Sequence, residues 1–449
     1  MRWSSWRYLW TSQDIRRKLL VTLLLLSIYR LAAHVPVPGV DKTAISQIMA
    51  AGGAGGTLVG LLDLLSGGTV SNFSVLAMGV YPYITAQIIL QLLVPIIPAL
   101  QRRMEEDPRE GQKWMEKWTY ILAVPMAALQ AIGQINIFNS LSGGVPIIQN
   151  FGFIPGSIAS TLAIILSMTA GTMFAIWLGE LISEYGIRNQ GLSLIIFAGI
   201  VSRIPANFGA ILADEQNRTW MFPLTLLITM VIIFAIVFVQ QGRRNVPVMY
   251  PGRRGGNRMS MPVKGTLPLM VNMAGMIPLI FAQSLLTFPA ILASFFAQSS
   301  VAWVRNMATT IQNLFGGNSD FYWIMYFIMV VAFTFFYTNV LFAQQNYGEN
   351  LKRVGAQIPG VSRGAPTQKY LNKVLSRITL PGALFLGTVA VLPWLVSLII
   401  PAFGNSQASS FFLVSSAGLL IVVGVVRDTF FNIQAELKLH GYDDALLIK

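Results

Sequence analysis

Cysteine is absent from this 449-residue chain. That excludes a disulfide framework and a thiolate metal site. Histidine is nearly absent, and His34 and His440 stand too far apart in sequence to supply a multi-histidine site. Charge is scarce: 11% of residues are charged, against roughly a quarter in soluble proteins. With 54% hydrophobic residues, the chain reads as an all-α polytopic membrane protein with no large soluble domain left over.

Ten apolar stretches can be drawn: Leu19–Val35, Val75–Leu100, Trp118–Phe138, Ile158–Ile182, Leu192–Ile204, Thr219–Val239, Leu267–Pro289, Phe321–Phe342, Ile378–Ile400 and Ser409–Val426. The fifth is short or continues toward Ala213. Arg16-Arg17-Lys18 precedes the first stretch, and no small-residue cleavage site follows it. We read a retained signal-anchor helix. Ten spans put both termini on one side, and that side carries 26 of the 31 Lys and Arg residues. The positive-inside rule then places both ends in the cytosol of a multi-pass cell-membrane protein. Orientation against anionic lipid accounts for most of these basic residues.

Carboxylates are missing from the middle of every stretch. Glu180 lies near a cytosolic end, and Asp63 lies in a short half-helix. Arg30 and His34 fall late in the first stretch, where a long side chain can snorkel outward. Proton or sodium coupling and aspartyl intramembrane proteolysis both need groups of that kind. No His-Glu-x-x-His motif occurs. The serine of Gly191-Leu192-Ser193-Leu194 has no suitable histidine base. No phosphate-binding G-x-x-x-x-G-K-[ST] loop is present either. Hence we expect no enzyme activity, no cofactor and no metal, with energy supplied by a partner. Gln87, Gln91, Thr119, Gln130, Asn272, Gln283 and Ser284 are polar span residues, and each reads singly as interhelical glue.

Leu58 to Leu65 is apolar but only about 8 residues long, whereas a span needs roughly 20. Ser66-Gly67-Gly68 breaks it, and the next apolar run begins near Val75. The chain is expected to enter the membrane partway, turn, and cross beside itself. Non-helical backbone at that depth must face protein or a water-filled cavity, so this segment lines or plugs one. An amphipathic surface helix is the plain alternative.

Two loops on the basic side are long. Gln240 to Gly265 holds Arg243, Arg244, Arg253, Arg254 and Arg258 and no acidic residue; Ala343 to Ser376 holds Lys352, Arg353 and Arg363. Gly and Pro flank the basic residues, which suits projecting hairpin tips. Such tips suit an acidic protein or ribosomal RNA phosphate. Five stretches precede the middle and five follow it. That permits two inverted halves, with a boundary at 204/205 and docking loops at 240–266 and 343–377. Pro82, Pro95, Pro125, Pro223, Pro268, Pro278, Pro289 and Pro393 interrupt the stretches, which fits either a gated path or stable kinked packing.

Several motifs resemble the SecY family of protein-translocation channels. They are Leu65-Ser66-Gly67-Gly68 followed by Ala77-Met78-Gly79-Val80-Tyr81-Pro82-Tyr83-Ile84-Thr85-Ala86, then Gly171-Thr172-Met173-Phe174, Trp177-Leu178-Gly179-Glu180, Val271-Asn272-Met273-Ala274-Gly275 and Leu419-Leu420-Ile421-Val422-Val423. The likeness runs along nearly the whole chain in the same order. It implies ten helices in two pseudo-symmetric halves, with a plug at about 57–72 that includes Leu61, Leu62, Asp63, Leu64, Leu65, Ser66, Gly67 and Gly68. It implies a pore ring of Val80, Ile84, Ile196, Ile280 and Ile421. It further implies a lateral gate toward lipid, where we expect Thr85, Gln91, Thr119, Asn272, Ser284 and Phe288. Unfolded, signal-bearing polypeptides would cross through the centre, and transmembrane segments would leave sideways. The family works with SecE and SecG and docks SecA or the ribosome on its cytosolic loops. A secondary transporter with broken helices and a structural scaffold are the rival readings.

This chain departs from the family twice. Gly186-Ile187-Arg188-Asn189-Gln190-Gly191-Leu192-Ser193 has one residue more than the family's usual Gly-Ile-Gly-Asn-Gly-Ile-Ser. In Pro359-Gly360-Val361-Ser362-Arg363-Gly364 the arginine stands one position later than in the family's Pro-Gly-Ile-Arg-Pro-Gly.

Overall fold

A computed structural model describes residues 12–40, 69–70, 73–141, 148, 151–152, 157–188, 190–213, 218–251, 254–255, 258–259, 263–296, 301–315, 319–345, 347–399 and 407–439. Its helices are α1 (Gln13–Ala32), α2 (Tyr81–Ile96), α3 (Pro98–Glu106), α4 (Pro108–Leu141), α5 (Ile158–Tyr185), α6 (Gly191–Ala213) and α7 (Arg218–Gln241), then α8 (Ile277–Phe296), α9 (Ala302–Phe315), α10 (Asp320–Gln345), α11 (Tyr347–Arg353), α12 (Ala365–Ile399) and α13 (Gln407–Leu439). Between α7 and α8 run strands β1 (Arg243–Tyr250), β2 (Arg254–Gly255), β3 (Arg258–Met259) and β4 (Val263–Met270).

Among the described residues, seven helices are long and apolar enough to cross a membrane. Tyr81–Val94 and Pro98–Met104, bent by 95° at their break, make an eighth if taken as one span. Helix α1 carries Arg16, Arg17, Lys18 and Arg30 and stands outside that set, and the apolar part of α6 is the shorter Gly191–Pro205. The protein is an all-helical polytopic membrane protein.

Exposed faces follow from the solvent. In α1, Ile15, Thr22, Leu25 and Tyr29 are buried, while Leu20, Leu23, Leu24 and Leu31 are exposed. In α7, Leu227, Met230, Val231, Phe234 and Phe238 are exposed. Apolar stripes this long would be a liability in water, and they suit hydrocarbon.

Where lipid is as apolar as leucine, helices associate by close van der Waals approach, which small residues permit. Gly171, Ala175 and Gly179 lie four apart on α5, on one face, and all three are buried. A Cβ added to Gly191 would lie 1.7 Å from Gly179 O, so α5 and α6 touch backbone to backbone at that point.

By contact, the chain divides into two units. One comprises Met1–Thr225, Ser284–Trp323 and Pro393–Lys449; the other comprises Leu226–Gln283 and Ile324–Leu392. The first has a core of Val37, Val70, Phe73, Ala77, Met78, Ile135, Phe138, Ile148, Ile164 and Met168, among others. The second has a core in which Val246, Val248 and Leu269 meet Phe342, Leu351, Ile358, Leu371 and Leu375.

Four expected boundaries are corrected. The stretch Leu267–Pro289 is not one helix: β4 ends at Met270, and α8 begins only at Ile277. Residues 263–270 alternate between partly buried and exposed, a period of two that a strand satisfies and a helix cannot. Asn245 pairs with Pro268 in this two-stranded ladder, where a missing N–H is tolerated at an edge. Helix α1 begins at Gln13 rather than Leu19, with Asp14 in its first turn and Arg30 in its last, both favourable to the helix dipole. Helix α12 begins at Ala365, so much of the expected 343–377 loop is helical. The stretch Val75–Leu100 splits into turns at 75–80, α2 and α3.

Candidate functional site

The approach to α2 is fixed by backbone pairing. Val37 N donates to Phe73 O at 3.0 Å, Val75 N donates to Val35 O at 2.9 Å, and Pro36 pairs with Ser74. Thr69 Oγ1 donates to Leu76 O at 2.6 Å. Phe73 takes φ 41°, a left-handed conformation that is costly for a phenylalanine. Its fully buried ring meets Phe138 edge-on at 5.2 Å. Gly171 admits this loop, because a Cβ there would lie 2.1 Å from Val75 O. Gly79, at φ 51°, then turns the chain so that α2 starts at Tyr81 with Pro82 in its first turn. Of the expected plug, Leu61, Leu62, Asp63, Leu64, Leu65, Ser66, Gly67 and Gly68 lie outside the described residues. Its end, Thr69 and Val70, is buried in the first unit.

Helix α2 is joined through polar groups to α4 and to the Ser284–Phe296 part of α8, all within the first unit. Thr287 Oγ1 lies 3.2 Å from Ser284 O and 3.2 Å from the Tyr81 hydroxyl, which itself reaches Ser284 O at 3.5 Å, so the three groups form one hydrogen-bonded cluster. Thr85 Oγ1 donates to Tyr81 O at 3.0 Å and accepts from Gln130 Nε2 at 3.3 Å. Gly133 sets the distance between α4 and α8: a Cβ there would lie 2.5 Å from Ile291 Cγ2. Ser294 Oγ, bonded to Ile291 O at 2.6 Å, also lies 3.5 Å from Gly133 O. A cavity of about 20 Å³ remains, lined by Ala77, Met78, Tyr81, Gln130, Gln134, Ile137 and Ile291. It has room for about one water molecule, and Gln130 Oε1 is buried beside it with no partner among the described residues.

The expected gate residues are distributed unequally over this geometry. Thr85 and Ser284 belong to the cluster, Ser284 through its carbonyl. Phe288 is exposed. Thr119 is buried and bonds back to Met115 O at 2.7 Å on its own helix. Asn272 is buried in the second unit, where its Nδ2 donates to Gly275 O at 3.1 Å. Gln91 Oε1 and Asn272 Oδ1 are buried with no partner among the described residues. Tyr81 and Thr287 were not singled out in advance. A tyrosine hydroxyl in an apolar run, needing a partner once buried, is a signal that Tyr81 shares with Tyr83.

Of the expected ring, Val80, Ile196, Ile280 and Ile421 are buried and Ile84 is partly buried. Ile84 N donates to Val80 O at 3.2 Å, so these two stand one turn apart. Ile196 lies on α6 and Ile421 on α13, which pack together in the first unit. Ile280 belongs to the second unit.

In the second unit the two basic-side loops are tied together. Strands β1 and β4 pair antiparallel from Arg243↔Met270 to Tyr250↔Val263, and β2 pairs with β3 beyond them. Val246 and Val248 turn inward, and Arg243 and Arg244 stay exposed. Met249 N donates to Gln357 O at 2.8 Å, and Gln357 N returns a bond to Met249 O at 2.9 Å. Gly348 N donates to Gln368 Oε1 at 2.8 Å, holding α11 on α12. Lys352 and Arg353 are exposed, each within 4 Å of Glu349, and Arg363 is exposed in the loop before α12. Arg254 and Arg258 sit on β2 and β3, and Arg253 lies outside the described residues.

Among the described residues no group of three or more His, Asp or Glu residues is placed to hold a metal ion. A family model described as SecY matches residues 74–430. The chain is 38% identical over 442 residues to a protein of Streptomyces griseus named protein translocase subunit SecY, covering 96% of this chain and 97% of that one. A protein of Aquifex aeolicus with the same name is 38% identical over 435 residues, covering 95% of each. The fold is similar to that of a solved protein-conducting channel, with TM-score 0.61 at 17% identity over 96% of this chain and 95% of that one. It is similar also to a SecY structure described by the role of its plug domain, with TM-score 0.62 at 18% identity and the same coverage.

Proposed function

This chain belongs to the SecY family, and from that membership we propose how its parts divide the work of a protein-conducting channel. It is a channel subunit rather than an enzyme. Unfolded, signal-bearing polypeptides pass through it. Val80, Ile84, Ile196, Ile280 and Ile421 form the constriction, where branched apolar side chains seal by dewetting and hold no passing segment. Residues 57–72 close the resting channel. The chain is organised as inverted halves, 1–204 and 205–449, in the cell membrane with both termini cytosolic. The joined loops on the basic side receive SecA or the ribosome, and SecE and SecG complete the assembly.

The side exit toward lipid runs between α2 and α8. The bond from Tyr81 to Thr287 carries this reading, because it joins two membrane helices through single uncharged groups that can part and be rehydrated cheaply. Asn272 and Gln91 keep buried acceptors without partners among the described residues, which favours a packed state held near balance with a parted one.

The absence of cysteine gives a clean test. Thr85→Cys and Thr287→Cys in one chain, bridged by a short bismaleimide, should stop release of a hydrophobic segment into lipid. Each single variant treated alike should still release the segment. Undiminished release from the bridged channel would remove the exit from this position.

A further inference from the structure

Helix α9 shows three faces. Ala308 is buried, with Val304, Ile311 and Phe315 partly buried around it on the side turned to the protein. Trp303, Met307 and Leu314 are spaced four and seven apart, so they form one stripe, and all are exposed, Trp303 at 68%. Arg305, Asn306, Thr309 and Asn313 make the remaining face, also exposed. A water-soluble helix needs the first and third of these faces and has no use for the second.

We infer that α9 lies in the headgroup layer, with its Trp303–Met307–Leu314 stripe dipping into lipid. The helix cannot stand far from the bilayer. Residues 297–301 alone join it to the membrane helix α8, and 316–319 alone join it to α10. Phe315 packs edge-on against Phe321 at 5.9 Å, which holds its end to the start of α10. The chain-adjacent elements also expose apolar residues, namely Phe295 and Phe296 at the end of α8 and Phe321 on α10. Tryptophan and arginine on adjacent faces suit the interface, one ring at headgroup level and one cation among phosphates. Resting on the proposed topology, in which α8 spans the membrane with the β-hairpin on the cytosolic side, chain order puts α9 on the opposite side. The occupant of the stripe is therefore the outer lipid surface.

Single cysteines in this cysteine-free chain report the contact without background. Full-length Met307→Cys, Leu314→Cys, Asn306→Cys and Asn313→Cys variants would each carry a fluorescent label in vesicles of phosphatidylethanolamine and phosphatidylglycerol. Labels at 307 and 314 should be quenched by lipid bearing a nitroxide near the headgroup and spared by aqueous iodide. Labels at 306 and 313 should show the reverse. Equal access of iodide to all four would overturn the inference. Protection of 307 and 314 from both quenchers would also overturn it, because protein rather than lipid would then cover the stripe.

Discussion

The hydroxyls of Tyr81 and Thr287 share a hydrogen bond at 3.2 Å, joining residues 206 apart in sequence. The Tyr81 hydroxyl also donates to Ser284 O at 3.5 Å, so it is the group that crosses between the helices. Tyr81→Phe keeps the ring and removes only the hydroxyl, with its bonds to Thr287 and Ser284. A net hydrogen bond contributes about 0.5–1.5 kcal/mol, so the parted state should gain about two- to tenfold. A series of signal sequences of graded hydrophobicity measures this. The variant should pass signals that the natural channel rejects, and an unchanged threshold would detach Tyr81 from the gate.

Gln91→Leu and Asn272→Leu should act in the opposite direction. Each removes a buried acceptor that has no partner among the described residues but can meet water or a signal sequence in a parted state. Relief of an unmet group amounts to about 1–3 kcal/mol. The hydrophobicity needed for insertion should rise in both variants. A fall in either would show that its polar group holds the helices together.

Gly171→Ala should loosen the loop before α2. Its new methyl meets the carbonyl of Val75, which is backbone and cannot swing aside. Overpacking of this kind costs about 1–3 kcal/mol. Thermal unfolding in detergent should show a clear loss. Gly209→Ala on α6 is the control, with nothing within 4 Å of the added carbon, and should be neutral or stabilising.

Charge reversal should separate the two basic loops. Arg243→Glu with Arg244→Glu should weaken SecA or ribosome binding by about 1 kcal/mol per charge or somewhat less, as exposed charges do, and raised salt should weaken the natural protein alike. Arg363→Glu is the sharper test, because its arginine stands one position from the family's place. Wild-type binding and translocation in that variant would leave docking to the hairpin alone.

Removal of residues 60–68 should raise ion leakage through resting channels and leave much of translocation intact. Thr69 and Val70 stay in place, so the buried loop before α2 keeps its anchors. Leakage equal to that of the full chain would argue that other residues make the seal.

The membrane class, the channel family and the lack of catalytic groups were legible in composition and motif. Helix positions were legible wherever a span is one uninterrupted apolar run, as in α5 and α7. They failed at Leu267, where hydrophobicity continues while its period changes from two to 3.6. They failed again at Ala365 and Gln13, where a helix runs on beyond the hydrocarbon and its residues turn polar. Tyr81 escaped notice because its partner Thr287 is remote in sequence, and a single hydroxyl leaves no periodic trace. The pairing of Met249 with Gln357 was hidden for the same reason, since backbone bonds carry no residue signature.

The fixed ends around residues 41–68 have a kinetic consequence. Val40 pairs with Ile148 at one end, and Thr69 bonds with Leu76 at the other. In the proposed plug role, both anchors lie outside the segment that moves. Resealing is then an intramolecular event, first order and indifferent to how many channels share the membrane. A tethered closure of this length acts at an effective concentration in roughly the millimolar range. On that proposal, no soluble blocker made by the cell need match that figure.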